Sequence, residues 1–314
     1  MKKTFWILLG ILVLFSLLYF GLTQKEKKRL SPKIKENFLG IDTKSIDKFE
    51  IKKLGFKIVF GKKENIWWVT EPENYKADRP SINKFLESAQ ELKVENLIST
   101  NRKKQILFQV DTLTGTRLNF YQGGKLKASV VIGKISLDFV HTYVRKTESD
   151  EVYLANTYLT YMLNRTPKGW RDREIFRLDP EEVSTIELSK GKEKFKLIQP
   201  VRSGKDTLWM VSPYPYKDFF ETQKEKIDQF LKALCYLKTD DFATKKDTEK
   251  LDFKNPALQY KITLKDGTEK TLSVFEIKKK EGRYFLKTGE DDTVFLLFGH
   301  SFEKIDKKID DFKL

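Results

Sequence analysis

The feature that most constrains the fold is a pair of landmarks that occurs twice, in the same order, along the 314 residues. Residues 68–72 (WVTEP) correspond to residues 209–213 (WMVSP), and residues 143–147 (YVRKT) correspond to residues 284–288 (YFLKT). Both pairs have an offset of 141 residues. The repetition predicts two tandem copies of one module.

A third match lies between these landmarks and has the pattern of a helix. Residues 82–93 and residues 227–238 each place apolar side chains at i, i+3, i+4 and i+7, which is the spacing of an amphipathic helix that buries one face. Asp78 precedes the first stretch as a candidate N-cap. Thr222 and Glu225 have the spacing of a capping box before the second. We therefore expect one amphipathic helix in each module.

Strand-like segments surround both helices, and glycine marks the tight turns between them. Gly123 and Gly124 separate two apolar runs in the first copy, and Gly267 does so in the second. Glycine supplies the positive φ that two-residue hairpin turns require. The order of strands, helix and strands predicts an α+β class, with a mainly antiparallel sheet plus one helix in each module. The modules are expected at residues 46–178 and 179–314.

The N-terminal segment has the pattern of a membrane helix. Residues 4–23 contain no charge and are dominated by large apolar side chains. About 20 such residues cross a hydrocarbon layer of about 30 Å. The segment lacks a small-residue cleavage site, so we expect an uncleaved single transmembrane helix at residues 1–23 that contacts the lipid bilayer through residues 4–23. A charged linker at residues 24–45 would join it to the modules.

The lysines on both sides of this segment leave its orientation open. A short basic tail before an apolar run favours export of the folded part, so the expected location is the cytoplasmic (inner) membrane with extracytoplasmic modules. The positive-inside rule, counted over both flanks, also permits a basic domain that faces the cytoplasm. In that orientation it would bind anionic lipid or nucleic acid.

The formal net charge of +15, from 60 basic and 45 acidic residues, would attract anionic partners. Lysine outnumbers arginine 49 to 11, and the lysines are dispersed among acidic residues. Recognition of bases and phosphates favours the planar arginine side chain, so the composition makes nucleic-acid binding unlikely. A solvated basic surface is the simpler interpretation.

The supply of chemically reactive residue types is small. One cysteine, Cys235, excludes an intramolecular disulfide, and it lies on the apolar face of the second helix, where a buried thiol is expected. The two histidines exclude a His-rich metal site. The sequence contains neither a phosphate-binding glycine loop nor a Gly-x-Ser-x-Gly nucleophile elbow. We predict no catalytic residue, no cofactor and no metal.

Two clusters contain the residue types that often form contacts with partners. The first is Trp170, Arg171, Asp172 and Arg173 at the end of the first module. Arginine forks and an indole suit an anionic ligand or a protein partner, or they could pack as a plug at the module junction. The second is an aromatic loop with Tyr214, Tyr216, Phe219 and Phe220, which could grip a partner or pack internally.

In their order along the chain, the apolar N-terminal segment and four motifs resemble the bacterial domain of unknown function 4340. The motifs are residues 68–72, residues 132–134, residues 143–145 and residues 170–173. The resemblance covers residues 46–178 and extends more loosely into the second copy, which lacks a Trp-Arg-Asp-Arg run. It implies a membrane-tethered envelope protein whose partners would be subunits of an ABC transporter of the gliding-motility type. It implies no catalytic residues.

These observations predict a non-catalytic extracytoplasmic binding or accessory protein that engages a membrane transporter or an envelope component. An enzyme that acts on envelope polymers is the alternative, and it would need converging carboxylates in a cleft. The sequence does not predict the oligomeric state.

Overall fold

The computed structural model describes residues 12–19, 37–156, 159–203, 206–249, 251–276, 282–290 and 292–313. Residues 12–19 are helical (α1). The chain divides into two compact units, residues 1–172 (unit 1) and residues 173–314 (unit 2).

Unit 1 contains a nine-stranded sheet in the order β4-β3-β2-β1-β6-β7-β8-β9-β5. All described strand pairs in it are antiparallel. The strands are β1 (Lys48–Lys53), β2 (Phe56–Lys63), β3 (Ile66–Glu71), β4 (Tyr75–Lys76), β5 (Lys93–Ser99), β6 (Thr116–Gln122), β7 (Lys125–Ile135), β8 (His141–Lys146) and β9 (Val152–Asn156). The helices are α2 (Arg79–Gln90) and α3 (Leu159–Leu163), with 3-10 turns at Thr43–Ser45, Arg102–Phe108 and Pro167–Trp170.

Unit 2 contains a second nine-stranded antiparallel sheet, in the order β13-β12-β11-β10-β15-β16-β17-β18-β14. The strands are β10 (Val183–Lys190), β11 (Glu193–Ser203), β12 (Asp206–Pro213), β13 (Phe220–Glu221), β14 (Asp241–Phe242), β15 (Leu258–Leu264), β16 (Glu269–Glu276), β17 (Arg283–Thr288) and β18 (Phe295–Phe298). The helices are α4 (Lys224–Cys235), α5 (Lys245–Thr248) and α6 (Gly299–Phe302), with 3-10 turns at Pro180–Glu182 and Ile309–Asp311.

The predicted fold class, α+β with an N-terminal transmembrane helix, is wrong. The described residues form two large antiparallel sheets with few helices. The size of the sheets was missed partly because polar strands such as β5 lack the alternation of apolar and polar residues that identifies a strand. No helix in the described part of the chain is long and apolar enough to cross a membrane. Within the predicted span at residues 4–23, only α1 is described, and its eight residues extend about 12 Å. The rest of that span lies outside the described residues.

The core of each unit lies between one amphipathic helix and one face of its sheet. In unit 1, the ring centroid of Phe85 on α2 lies 5.0 Å from that of Phe49 on β1 and 6.3 Å from that of Phe120 on β6. In unit 2, the ring centroid of Phe230 on α4 lies 6.0 Å from that of Tyr260 on β15. These rings are buried, and burial of each phenylalanine contributes about 1.5–3 kcal/mol.

The starts of the two helices differ. Asp78 caps α2, because its carboxylate accepts a hydrogen bond of 3.0 Å from the backbone N–H of Ser81, as predicted. The capping box predicted before α4 is wrong. Gln223 is the N-cap residue there and its side chain makes no capping hydrogen bond, while the hydroxyl of Thr222 donates to the carbonyl oxygen of Trp209 at 2.9 Å.

Gly133 on β7 lies where the sheet meets a neighbouring loop, and no side chain fits there. A Cβ atom at this position would overlap the carbonyl oxygen of Phe108 and lie 2.7 Å from Cγ1 of Val110. We expect Gly133→Ala to lower the free energy of unfolding of unit 1 by about 1–3 kcal/mol, because backbone must shift to accept the methyl group. Gly299→Ala is the matched control, since no atom lies within 4 Å of its Cβ position. Equal denaturant midpoints for the two variants would contradict this explanation.

Candidate functional site

Trp170 is fully buried in the core of unit 1. Its ring lies edge-on to Phe60, with centroids 5.2 Å apart, and to Phe85, with centroids 5.6 Å apart. Its carbonyl oxygen accepts a hydrogen bond of 2.8 Å from the backbone N–H of Asp78, which ties it to the start of α2. The indole is therefore not exposed to a partner.

The other three residues of the Trp170 cluster do not converge with it on one site. Arg171 forms a bridge with Ala77 and places its guanidinium 5.1 Å from the ring centroid of Tyr75. The carboxylate of Asp172 pairs with the ammonium of Lys76 at 2.8 Å. Arg173 begins unit 2, where its carbonyl oxygen accepts a hydrogen bond from Thr239.

The aromatic loop of unit 2 is largely exposed to solvent. The exposed fractions are 66% for Tyr214, 41% for Phe219 and 43% for Phe220. The rings of Tyr214 and Tyr216 meet edge-on with centroids 5.5 Å apart, and burial raises the pKa of Tyr216. The loop therefore has an accessible aromatic surface, and its role in binding a partner stays a prediction.

The described residues with titrating side chains offer little acid–base or metal chemistry. They include no group of three or more histidine, cysteine or acidic residues that could hold a metal ion. Burial raises the pKa of the Cys235 thiol to about 12, so the thiol stays protonated at neutral pH. His141 lies 2.6 Å from Asp138 and 3.3 Å from Glu95, and its hydrogen bond to Asp138 raises its pKa.

The pair formed by Asp138 and His141 gives a testable pH dependence. Hydrogen bonds from the backbone and ring of His141 lower the pKa of Asp138 from 3.8 to about 2, so its stabilising contribution is lost as the pH falls through that range. The raised pKa of His141 gives a contribution that is full below pH 6.5 and lost as the pH rises through the folded-state pKa. Both contributions are full between about pH 3.8 and 6.5. We expect Asp138→Asn to lower the pKa of His141 toward its usual value, measured by NMR titration; an unchanged pKa would contradict the pair.

A pocket of about 470 Å³ in unit 2 was not predicted from the sequence. Helix α4 and the C-terminal segment form its walls, and the lining residues are Lys226, Gln229, Phe230, Ala233, Lys304, Lys307, Asp311 and Phe312. Three ammonium groups and one carboxylate give this lining a net positive charge. Lys226 lies about 80 residues before Lys304 and Lys307 in the sequence. Each has polar sequence neighbours typical of a solvated surface, so nothing local identified the pocket.

The lysine pocket combines an apolar floor with cationic walls. The rings of Phe230 and Phe312 are buried and meet edge-on, with centroids 5.0 Å apart. Within the described part of the chain, neither Lys226 nor Lys304 has a salt-bridge partner. The ammonium of Lys307 donates to the carbonyl oxygen of Glu303 at 2.9 Å, which leaves it further donors. Unpaired ammonium groups above an apolar floor suit an anion with an apolar part.

Phe312 occupies in unit 2 the position that Trp170 occupies in unit 1. Its carbonyl oxygen accepts a hydrogen bond of 2.9 Å from Gln223 at the start of α4. Its ring packs on Phe230 of that helix and lies 5.9 Å from Phe195 of β11, as Trp170 packs on α2 and β2. Lys313 then forms a bridge with Thr222, as Arg171 does with Ala77 in unit 1.

At the corresponding place in unit 1, Arg165 links the segment before Trp170 to helix α2. Arg165, five residues before Trp170, donates to the hydroxyl of Ser81 on α2 at 2.7 Å, and its guanidinium lies 5.3 Å from the centroid of the Trp170 ring. The corresponding residues in unit 2 are Lys307, five residues before Phe312, and Lys226, in the first turn of α4. Two ammonium groups repel and cannot form this bond, and both line the lysine pocket of unit 2.

A cleft of about 350 Å³ lies in unit 1 beside helix α2. Lys44 and Lys62 contribute positive charge to its lining, whereas Glu87 and Glu91 contribute negative charge. Gln90 is already engaged there, because its side-chain oxygen accepts a hydrogen bond of 2.6 Å from the hydroxyl of Thr43. The mixed charge makes this cleft a weaker candidate than the lysine pocket.

A family model described as a domain of unknown function (DUF4340) matches residues 67–256, which is more than half of the chain. The chain belongs to this family. The DUF4340 match begins in β3 of unit 1 and includes helix α4 of unit 2, where the motif resemblance is looser. It ends before the lysines at 304 and 307. Neither a curated protein nor a solved structure matches the chain.

Proposed function

We propose that this DUF4340 protein is a non-catalytic binding protein and that the lysine pocket of unit 2 holds an anionic ligand with an apolar part. The observation that carries the proposal is the placement of Lys226, Lys304 and Lys307 around the buried rings of Phe230 and Phe312. The volume of the pocket lies in the range of small-molecule sites.

The expected energetics are modest. Lysine is a strongly hydrated point charge, and each exposed lysine near a carboxylate or phosphate contributes up to about 1 kcal/mol. A ligand ring that enters the pocket adds about 25 cal/mol for each Å² of its own apolar surface that leaves water. The lysine charges alone would bind any small anion weakly, so discrimination between anionic ligands depends on contact with the floor of the pocket.

The proposal also assigns different tasks to two copies of one module. The same strand order and the same placement of Trp170 and Phe312 support an origin of the two units by duplication. The hydrogen bond between Arg165 and Ser81 suits a scaffold role for unit 1, and the pocket beside Lys226 and Lys307 suits unit 2 for binding.

An accessory role beside an ABC transporter, with the folded part outside the cytoplasm, is the wider context that the resemblance implies, and it stays a proposal. The exposed Tyr214, Phe219 and Phe220 offer a surface for a protein partner in that role. The lysine pocket has a single carboxylate in its lining, on Asp311, whereas hydrolysis of a glycosidic polymer uses two. This difference favours binding over catalysis.

Calorimetric titration with three small probes tests the proposed function. We expect phenyl phosphate to bind the full chain more tightly than inorganic phosphate, which lacks the ring, and than benzyl alcohol, which lacks the charge. The variant Lys304→Gln/Lys307→Gln should weaken binding of phenyl phosphate about tenfold, which corresponds to about 1.4 kcal/mol.

The matched control is Lys245→Gln/Lys246→Gln, which removes the same charge from exposed lysines outside the pocket. It should bind phenyl phosphate as the unmodified protein does. Equal losses in the two variants would show that net charge alone attracts the probe, and equal affinities for phenyl phosphate and inorganic phosphate would remove the role of the apolar floor.

A further inference from the structure

The loop between β7 and β8 exposes large apolar side chains at its tip. Leu137 is 92% exposed, Phe139 is 87% exposed and Val140 is 57% exposed. Single exposed apolar side chains are ordinary, but three within four residues form a local apolar tip. Residues 136–140 are called the tip loop below.

The tip loop is held by hydrogen bonds that point its apolar side chains outward. The backbone N–H of Ser136 donates to the carbonyl oxygen of His141 at 2.7 Å, and that of Phe139 donates to the carbonyl oxygen of Ser136 at 3.0 Å. The carboxylate of Asp138 accepts from the backbone N–H groups of Val140, at 2.9 Å, and His141, at 3.0 Å. Its second oxygen lies 2.6 Å from the ring of His141.

These hydrogen bonds reduce the penalty for moving the tip loop out of water. Four backbone N–H groups of residues 136–141 have partners within that segment, and the carboxylate of Asp138 lies beside an imidazole that can neutralise it. An apolar medium penalises unpaired polar groups, so each of these pairings lowers the cost of bringing the loop into an interfacial layer.

Basic side chains lie at the same end of the sheet as the tip loop. Lys52 of β1 pairs with Arg117 at the start of β6, and the adjacent Thr116 pairs with Ile132 near the end of β7. Lys134 is exposed just before the tip loop. This end of the sheet therefore combines an apolar tip with cationic neighbours, which complement an anionic lipid surface.

We propose that the tip loop inserts Leu137 and Phe139 into the interfacial layer of an anionic lipid surface. The contact lies in unit 1, involves none of residues 4–23, and is independent of the lysine pocket in unit 2. A pocket on a protein partner would accept the apolar side chains, but it would not require the internal pairing of Asp138 or the basic side chains of Lys52, Arg117 and Lys134 at this end of the sheet. The observations therefore favour lipid.

A single fluorescent label on the full chain tests the proposal. Val140→Cys is labelled with an environment-sensitive dye, while Cys235, buried and with a pKa raised to about 12, stays unlabelled. Addition of vesicles of phosphatidylcholine and phosphatidylglycerol should shift the emission to the blue. Vesicles of phosphatidylcholine alone should produce a smaller shift.

Leu126→Cys provides the matched control, because Leu126 is 51% exposed and lies at the opposite end of β7. At about 3.3 Å per residue, the nine residues to Ile135 place it about 30 Å away along the strand. Its label should not respond when the tip loop is the part of the chain that enters the vesicle surface.

In the labelled Val140→Cys protein, we then add Leu137→Ser/Phe139→Ser. Vesicle binding, followed by the emission shift of the label, should weaken at least about tenfold because two large apolar side chains are lost. Both side chains are almost fully exposed, so the fold should remain intact, which circular dichroism checks. No shift with anionic vesicles, equal shifts at positions 140 and 126, or an undiminished shift in the double-serine protein would each overturn the proposal. The first of these results would leave a protein partner as the occupant of the tip.

Discussion

Replacement of Trp170 by alanine is expected to destabilise unit 1 by about 3–5 kcal/mol, which approaches the whole stability of many domains of this size. The indole fills the space between helix α2 and strand β2 and contacts Phe60 and Phe85 edge-on. Alanine would leave a cavity in a close-packed core. Because its indole N–H has no hydrogen-bond partner among the described residues, the loss would come from packing.

Hydrogen-exchange mass spectrometry would place this effect within the chain. Protection should fall in peptides from residues 56–94 of unit 1 and stay unchanged in peptides from unit 2. Trp68→Ala is the matched control, because Trp68 is only partly buried on β3 and should lose less stability. Equal losses for the two tryptophan variants, or equal losses of protection in both units, would contradict the placement of Trp170 in the core of unit 1.

Replacement of Arg145 by methionine is expected to destabilise unit 1 by about 3 kcal/mol or more. The guanidinium is buried and donates hydrogen bonds of 2.9–3.0 Å to four carbonyl oxygens, those of Val110, Lys146, Thr147 and Ser149. A methionine side chain fills similar space but donates no hydrogen bond to these carbonyl oxygens, of which that of Lys146 keeps a bond of 3.1 Å from the backbone N–H of Ser149. Burial also lowers the pKa of Arg145.

Thermal unfolding of two further variants gives the controls. Arg145→Lys should recover only part of the stability, because one ammonium cannot replace the planar fork of donors. Arg79→Met removes an exposed arginine in the same unit and should be nearly neutral. A methionine variant as stable as the unmodified protein would show that other donors satisfy the four carbonyl groups.

Local patterns were sufficient to predict several elements of the fold. The helical spacing of apolar residues identified α2 and α4, and Gly123 and Gly124 mark the turn between β6 and β7, with φ angles of 56° and 75°. These features depend on periods and turn residues that neighbouring positions specify. The predicted class failed because short or polar strands lack a clear local pattern: β4 has two residues, and β5 completes its sheet through pairing with the distant β9.

The candidate site could not be predicted from local patterns. Lys226 and Lys307 become neighbours of one pocket only because the C-terminal segment returns to helix α4. Phe312 replaces the indole of Trp170 with a smaller ring and is followed by Lys-Leu instead of Arg-Asp, so the correspondence between these positions became visible only in their contacts. Alignment of the two modules through the first turn of each helix would have paired Ser81 with Lys226, which is the one available signal.

The most direct measurement is a crystal structure of the protein soaked with 4-bromophenyl phosphate, in which the anomalous signal of bromine locates the ligand. The account predicts a bromine peak against Phe230 and Phe312 in unit 2, with the phosphate toward Lys304 and Lys307. An empty pocket at concentrations that saturate binding in solution, or a peak only elsewhere on the protein, would contradict it.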